Sequence, residues 1–220
     1  MPNEISPAVV RRLPRYYRYL GELLKSGVAR ISSMELSERM KLTASQIRQD
    51  LNNFGCFGQQ GYGYNVESLH DEIGRILGLS QGYSMIAVGA GNLGQALARN
   101  ERFAQRGFIF RALFDTDPKL IGTVVNGVEI LAADKMEDFL GEHSIDIAAL
   151  TLPTRESAQQ ALERVIACGV KAIWNFSHVD LDLSEHPDVT VENVHLTDSL
   201  MMLSYNLRRE STPCSPAQSH

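Results

Sequence analysis

The residues best placed for chemistry stand in the stretch "VGAGNLGQAL", residues 88–97, where Gly89, Gly91 and Gly94 have G-x-G-x-x-G spacing around Ala90, Asn92 and Leu93. After an apolar strand and at the start of a helix, such a turn holds a pyrophosphate. The first glycine permits the tight turn, the second lets the backbone approach the ligand, and the third lets helix pack close to strand. The helix start adds N–H donors and a positive dipole end. Asp115 lies 21 residues beyond Gly94, close to where a dinucleotide fold places the carboxylate that binds the adenosine ribose. A carboxylate there accepts from ribose hydroxyls and repels a 2′-phosphate, so the pattern predicts NAD(H) over NADP(H). Coenzyme A and S-adenosylmethionine remain alternative occupants of a fold of this kind.

Two further strand ends face the same ligand side: "TLP" (Thr151, Leu152, Pro153) and "NFS" (Asn175, Phe176, Ser177). Oxidised and reduced NAD differ only at the nicotinamide, cationic in one state and neutral in the other. An apolar wall of Leu152, Pro153 and Phe176 penalises the cation and favours NADH. Hydride-transfer chemistry would need a proton donor or acceptor and a substrate site. None of His70, His143, His178, His186, His195 and His220 falls in an acid–base constellation, and no Tyr-x-x-x-Lys pair is present. The nucleotide is therefore expected to be sensed rather than used, and the chain not to be an enzyme. An NAD-dependent oxidoreductase and a coenzyme A-responsive DNA-binding regulator are the alternatives.

The elements that must position these residues follow a strand–helix alternation. A short apolar strand over 85–88 is followed by an amphipathic helix over 93–103 and the strand "FIFRALF". Then come "GVEIL", a helix near 134–141, "IDIAALTL", a helix over 156–168 and "VKAIWNF". This alternation predicts an α/β fold with a Rossmann-like doubly wound parallel sheet.

Ahead of it, Ser6-Pro7 and Pro14 open short helices, and Ser32–Glu35 and Thr43–Gln46 have capping-box spacing. The two capped helices form a helix-turn-helix. On the second, Ala44, Ile47, Leu51 and Phe54 lie to one side and Ser45, Arg48, Gln49 and Asn52 to the other. These polar groups can reach base edges and phosphates in a major groove. Gln46 is a further candidate, as are Arg11, Arg15 and Tyr16 on the preceding helix. "FGCFGQQGYGYNV" reads as a hairpin whose tip carries Gln60, Gly61 and Tyr62, the wing of a winged helix.

Charge supports this division. The 220 residues carry a net charge of −5, yet residues 1–66 hold nine Lys/Arg against five Asp/Glu, leaving twelve against twenty-one for the rest. A basic head on an acidic body suggests a module facing nucleic acid. Cys56, Cys168 and Cys214 have neither disulfide nor metal-ligand spacing, and no apolar run reaches the roughly 18 residues of a membrane helix. A cytoplasmic protein without metal or membrane contact is expected. Near the C-terminus, Leu200, Leu203 and Leu207 continue a stripe from Leu196, while Met201, Met202 and Tyr205 add apolar surface elsewhere. A helix apolar nearly all round needs a cover, and a second copy of the chain is the expected one. The expected parts are a winged-helix DNA-binding domain over 1–80, an NAD(H)-binding domain over 81–195, a dimerisation helix over 196–209 and a disordered tail over 210–220.

"RLPRYYRYL", "RISSMELSERM", "QIRQDLNNFGCFGQQGYGYNVESL", "VGAGNLGQAL", "FDTDP", "TLP" and "NFS" run in order over nearly the whole chain. Together they closely resemble Rex, the family of bacterial redox-sensing transcriptional repressors. The resemblance implies a homodimer with an exchanged C-terminal helix, and release from double-stranded operator DNA by NADH, with NAD⁺ competing. It also implies roles in nucleotide binding for Gly89, Gly91, Gly94 and Asp115. Two positions depart from the family. His195 stands where members often have an aspartate before the last helix, and Asn100 where they often have a tyrosine. Both positions help the family couple nucleotide state to domain arrangement.

Overall fold

A computed structural model describes residues 6–53, 58–59 and 63–210. The chain divides after Gly82 into two compact units. The first begins with α1 (Pro7–Val10) and α2 (Leu13–Lys25), each with a proline in its first turn. After β1 (Arg30–Ile31) comes α3 (Ser33–Met40). Its start is a reciprocal capping box: Ser32 Oγ accepts from the Glu35 N–H at 3.1 Å, and the Glu35 carboxylate accepts from the Ser32 N–H at 2.8 Å. In α4 (Ala44–Asn52) only half of the second expected box forms. Thr43 accepts from the Gln46 N–H, but the Gln46 side chain turns along the helix to Asp50, a stronger acceptor.

The expected hairpin is present as β2 (Gly58–Gln59) and β3 (Gly63–Asn65), antiparallel. β1 joins it to give the order β1-β3-β2. Two elements of this unit escaped the pattern: β1, only two residues long, and α5 (Val66–Ile76), capped by Asn65. Leu13, Leu20, Leu36, Met40, Ile47, Leu69 and Ile73 are fully buried in one core, each contributing about 1.5–3 kcal/mol of transfer free energy. Phe54, Phe57, Gln60, Gly61 and Tyr62 lie outside the described residues, as does 211–220 of the expected tail.

The second unit runs β4 (Tyr83–Val88), α6 (Asn92–Arg99), α7 (Glu101–Ala104), β5 (Phe108–Asp115), β6 (Val124–Val125) and β7 (Val128–Ala132). It continues through a 3₁₀ turn into α8 (Met136–Glu142), then β8 (Ile147–Leu150), α9 (Arg155–Ala167), β9 (Ala172–Asn175), β10 (Thr190–Asn193) and α10 (Leu196–Glu210). The sheet order is β10-β9-β8-β4-β5-β7-β6. Every neighbouring pair is parallel except β6–β7. Ile86, Val88 and Phe114 pack with Leu140 and Leu162 of α8 and α9. Met85, Ala87 and Leu113 pack with Ala98 of α6, so helices cover both faces. The single helix expected over 93–103 breaks at Asn100. Its backbone is extended there, and its side chain caps α7 by accepting from the Arg102 N–H at 3.2 Å.

Candidate functional site

The order of the parallel strands reverses between β4 and β8, and ligands of such sheets lie outside the carboxyl ends of the strands at that point. Backbone bonds lace these ends together. Gly89 N–H donates to Phe114 at 2.8 Å, Thr151 N–H to Val88 at 2.9 Å and Phe176 N–H to Leu150 at 2.9 Å. Thr151 Oγ1 donates to the Gly89 carbonyl at 2.7 Å. The loops that carry the sequence-predicted residues after β4, β5, β8 and β9 therefore form one rim.

The three glycines of the turn have different reasons to be glycine. Gly89 sits at φ +97°, and a Cβ there would lie 2.8 Å from the Thr151 carbonyl oxygen. At Gly94 a Cβ would stand 2.1 Å from the Gly89 carbonyl oxygen, so only glycine lets α6 approach the strand. Gly91 has an ordinary φ of −66°, and a Cβ there would meet nothing within 4 Å. Neither backbone nor packing demands glycine at Gly91. Gly91 is also the N-cap of α6 and supplies no side-chain cap. The first-turn N–H groups of Asn92, Leu93 and Gly94 lack intrahelical acceptors and suit an anion.

Asp115 is half-buried beside this turn. One carboxylate oxygen accepts from the Ala90 N–H at 2.6 Å and the other from the Asp117 N–H at 2.9 Å. Each oxygen keeps a lone-pair site for a hydroxyl donor. Ala90, named as a ligand contact, is instead fully buried with its N–H committed to Asp115; its part is to aim the carboxylate.

Asn175 requires a larger correction. It is fully buried, donating to Val179 O at 2.9 Å and to Asn193 Oδ1 at 2.7 Å, and accepting from Ser177 N–H and Oγ. Its amide knits β9 to the next loop and to β10, and is not a ligand group. Phe176 is 9 % exposed and meets Trp174 edge-on at 4.5 Å. Leu152 is half-buried against the core and Pro153 is exposed. His195 Nε2 lies 3.6 Å from an Asp180 carboxylate oxygen. Leu200, Leu203, Tyr205 and Leu207 of α10 are 55–64 % exposed in the single chain.

In the first unit, α4 turns Ile47 and Leu51 inward and exposes Ser45, Arg48, Gln49 and Asn52. Arg48 Nη1 donates to Ser33 Oγ at 3.1 Å. Arg11 is exposed, and the half-buried Arg15 guanidinium lies 5.8 Å from the Tyr19 ring centre. Tyr16 is a correction: it is wholly buried, and its hydroxyl donates to Asp50 at 3.0 Å, so it cannot meet DNA.

Asp50 is the residue that sequence reasoning missed. Completely buried, it takes a bidentate fork from Arg12 at 2.7 and 2.7 Å and a bond from Gln46 Nε2 at 2.8 Å, besides the one from Tyr16. Burial pushes its carboxyl up, but the bonds from Arg12, Gln46 and Tyr16 prevail and hold it below the usual carboxylate range. The Tyr16 hydroxyl is pushed well above its ordinary value, by burial first and by the Asp50 charge next. The available signal was an aspartate between Ile47 and Leu51 on the apolar side of an amphipathic helix. Among the described residues no group of side chains forms a metal site, and no helix is long and apolar enough to cross a membrane.

Comparison with known proteins agrees with both units. A family described as "Putative DNA-binding protein N-terminus" matches residues 4–52, and one described as "CoA binding domain" matches residues 80–179. The redox-sensing transcriptional repressor Rex of Caldanaerobacter subterraneus subsp. tengcongensis is 54% identical over 94% of this chain and 91% of its own. The solved structure of RSP with β-NAD⁺ and operator DNA is similar at 53% identity and a TM-score of 0.87, covering 95% of each chain. RSP with β-NADH aligns at 50% identity and a TM-score of 0.86, over 94% of this chain and 96% of that one. At this identity over nearly full length, the chain belongs to the Rex family of redox-sensing transcriptional repressors.

Proposed function

We propose that this protein is a cytoplasmic, homodimeric repressor that binds a near-palindromic operator and leaves it when NADH binds. The observation that carries the reading is one chain with two exposed constellations. The uncapped α6 start stands beside the half-satisfied carboxylate of Asp115, and α4 presents Ser45, Arg48, Gln49 and Asn52 together. RSP, a relative solved with β-NADH and with β-NAD⁺ and operator DNA, supports the pairing of these ligands.

The residues fit NAD(H). Gly91 and the first-turn N–H groups of α6 face the pyrophosphate, and Asp115 accepts from the ribose hydroxyls. Leu152, Pro153 and Phe176 form an apolar wall that disfavours the cationic nicotinamide. Asp115 also weighs against coenzyme A, whose ribose carries a phosphate that a carboxylate would repel. His195, Asn100 and the loops they terminate are the proposed coupling elements. For the dimer, α10 offers its apolar residues, and the α6 side of the sheet holds an apolar cavity of about 380 Å³ lined by Met85, Phe103, Phe108, Ile147, Ile173 and Trp174. Two copies would present α4 to major grooves about one helical turn apart. Moving DNA occupancy from 99:1 to 1:99 requires NADH to favour the released form roughly 10⁴-fold.

The test is fluorescence anisotropy of a labelled operator selected from random DNA, titrated with NADH and then NAD⁺. Release by NADH at concentrations where NAD⁺ does little is expected. Arg48→Ala should weaken operator binding and leave NADH binding intact. Tight DNA binding indifferent to both nucleotides would refute the sensing role, and steady consumption of NADH with a substrate would make the protein an enzyme.

A further inference from the structure

We infer that Asp50 locks the side-chain amide of Gln46 so that Gln46 reads adenine, and rejects guanine, at one base pair of each operator half-site. The inference rests on the reading of α4 as the helix that enters the major groove. Gln46 is in the first turn of α4 and half-buried, at the border between the buried Ile47–Asp50 side and the exposed Ser45–Gln49 side. The N-terminal residues of a recognition helix are those that meet base edges.

An amide can turn by 180° about its last bond and exchange its oxygen for its nitrogen. In Gln46 the surroundings decide which way it points. Asp50 receives four side-chain bonds, two from Arg12 and one each from Tyr16 and Gln46. An ionised carboxylate accepts through about four lone-pair sites and donates nothing. Against the effect of burial, the bonds from Arg12, Gln46 and Tyr16 hold Asp50 ionised, with its carboxyl below the ordinary range. Only the NH₂ end of Gln46 can therefore face it, because the reversed amide would set oxygen against oxygen.

One Nε2 hydrogen is spent on Asp50 at 2.8 Å. The groups left over are the second Nε2 hydrogen and Oε1, one donor beside one acceptor. Adenine shows the matching pair in the major groove, the N7 acceptor and the N6 amino donor, whereas guanine shows two acceptors, N7 and O6. An amide free to turn would offer its donor and acceptor in either order, but the Asp50 carboxylate permits one. Asp50 is thus a positioning residue and Gln46 the reader.

The experiment is competitive anisotropy with full-length protein on a panel of operators carrying each base at each half-site position, for wild type, Gln46→Ala and Asp50→Asn. Wild type is expected to prefer adenine to guanine about tenfold or more at one position. Gln46→Ala should lose that preference and keep the others. Asp50→Asn, whose own amide can donate as well as accept, should lose the same preference beyond any uniform loss of affinity. Retention of every preference by Gln46→Ala, or an equal loss on all sequences by Asp50→Asn, overturns the inference. A wild type with no base preference at all would instead overturn the reading of α4 itself, and the inference with it. Should Asp50→Asn not fold, hydrogen exchange of the wild-type Gln46 side-chain amide decides. One slowly exchanging Nε2 proton is expected, and two fast ones would overturn the lock.

Discussion

Two aspartates, one in each unit, show how the same group serves different ends. Asp50 is wholly buried and takes four bonds from side chains, which fill its acceptor sites. Asp115 is half-buried and takes one backbone N–H on each oxygen, which aims the carboxylate but leaves acceptor sites open. A carboxylate saturated by side chains can only organise the protein around it. One oriented by backbone, with lone pairs to spare, is ready for a ligand's hydroxyls. The same contrast separates Gly94, which the fold needs, from Gly91, which it does not.

The largest effect expected is at Gly94. Alanine there would place Cβ 2.1 Å from a backbone oxygen, costing about 3 kcal/mol or more through overpacking, read as a lower urea midpoint. Arg12→Ala should follow at about 3 kcal/mol, because it strands a buried carboxylate with only two donors; Arg12 is partly exposed, so the low end of the range applies. Asp115→Ala should weaken NADH binding by about 2 kcal/mol, the loss of hydrogen bonds to a charged acceptor. Calorimetric titration measures it, and unchanged NADH affinity would erase the contrast between the two aspartates.

A smaller effect appears in acid. The Asp50 carboxyl sits below its ordinary value in the folded state, so its stabilisation is full above the unfolded value, about 3.9. It fades as pH falls through the lower folded value. Urea midpoints measured from pH 5 to 2 should decline less steeply in Asp50→Asn than in wild type. The smallest effect is Gly91→Ala, expected to change folding stability by no more than about 0.5 kcal/mol while weakening NADH binding. Equal nucleotide affinity in that variant would leave Gly91 without a use.

Much of the fold was legible because its signals are local. Ser32 with Glu35, the prolines of the first turns and the glycine turn after an apolar strand specify their elements within a few residues. What escaped lacked a local signature. β1 is two residues long and exists by pairing with β3, across more than thirty residues of chain. Asn100 ends one helix and caps the next, which periodicity alone reads as one amphipathic run.

The sequence by itself determined the two-part architecture, the nucleotide turn with Asp115, and the polar face of α4. Each rests on spacing within one element or between an element and its neighbour. Only the tertiary structure decided which polar residues already have their partners within the protein and which keep capacity to spare. Tyr16, Asn175 and the Ala90 N–H looked available until partners distant in sequence claimed them, and Asp50 had no evident purpose until Arg12 and Tyr16 arrived from α2 and its N-cap. The physical reason is that hydrogen-bonding capacity is a property of the residue, whereas whether that capacity is already spent depends on what the fold brings within three ångströms of it.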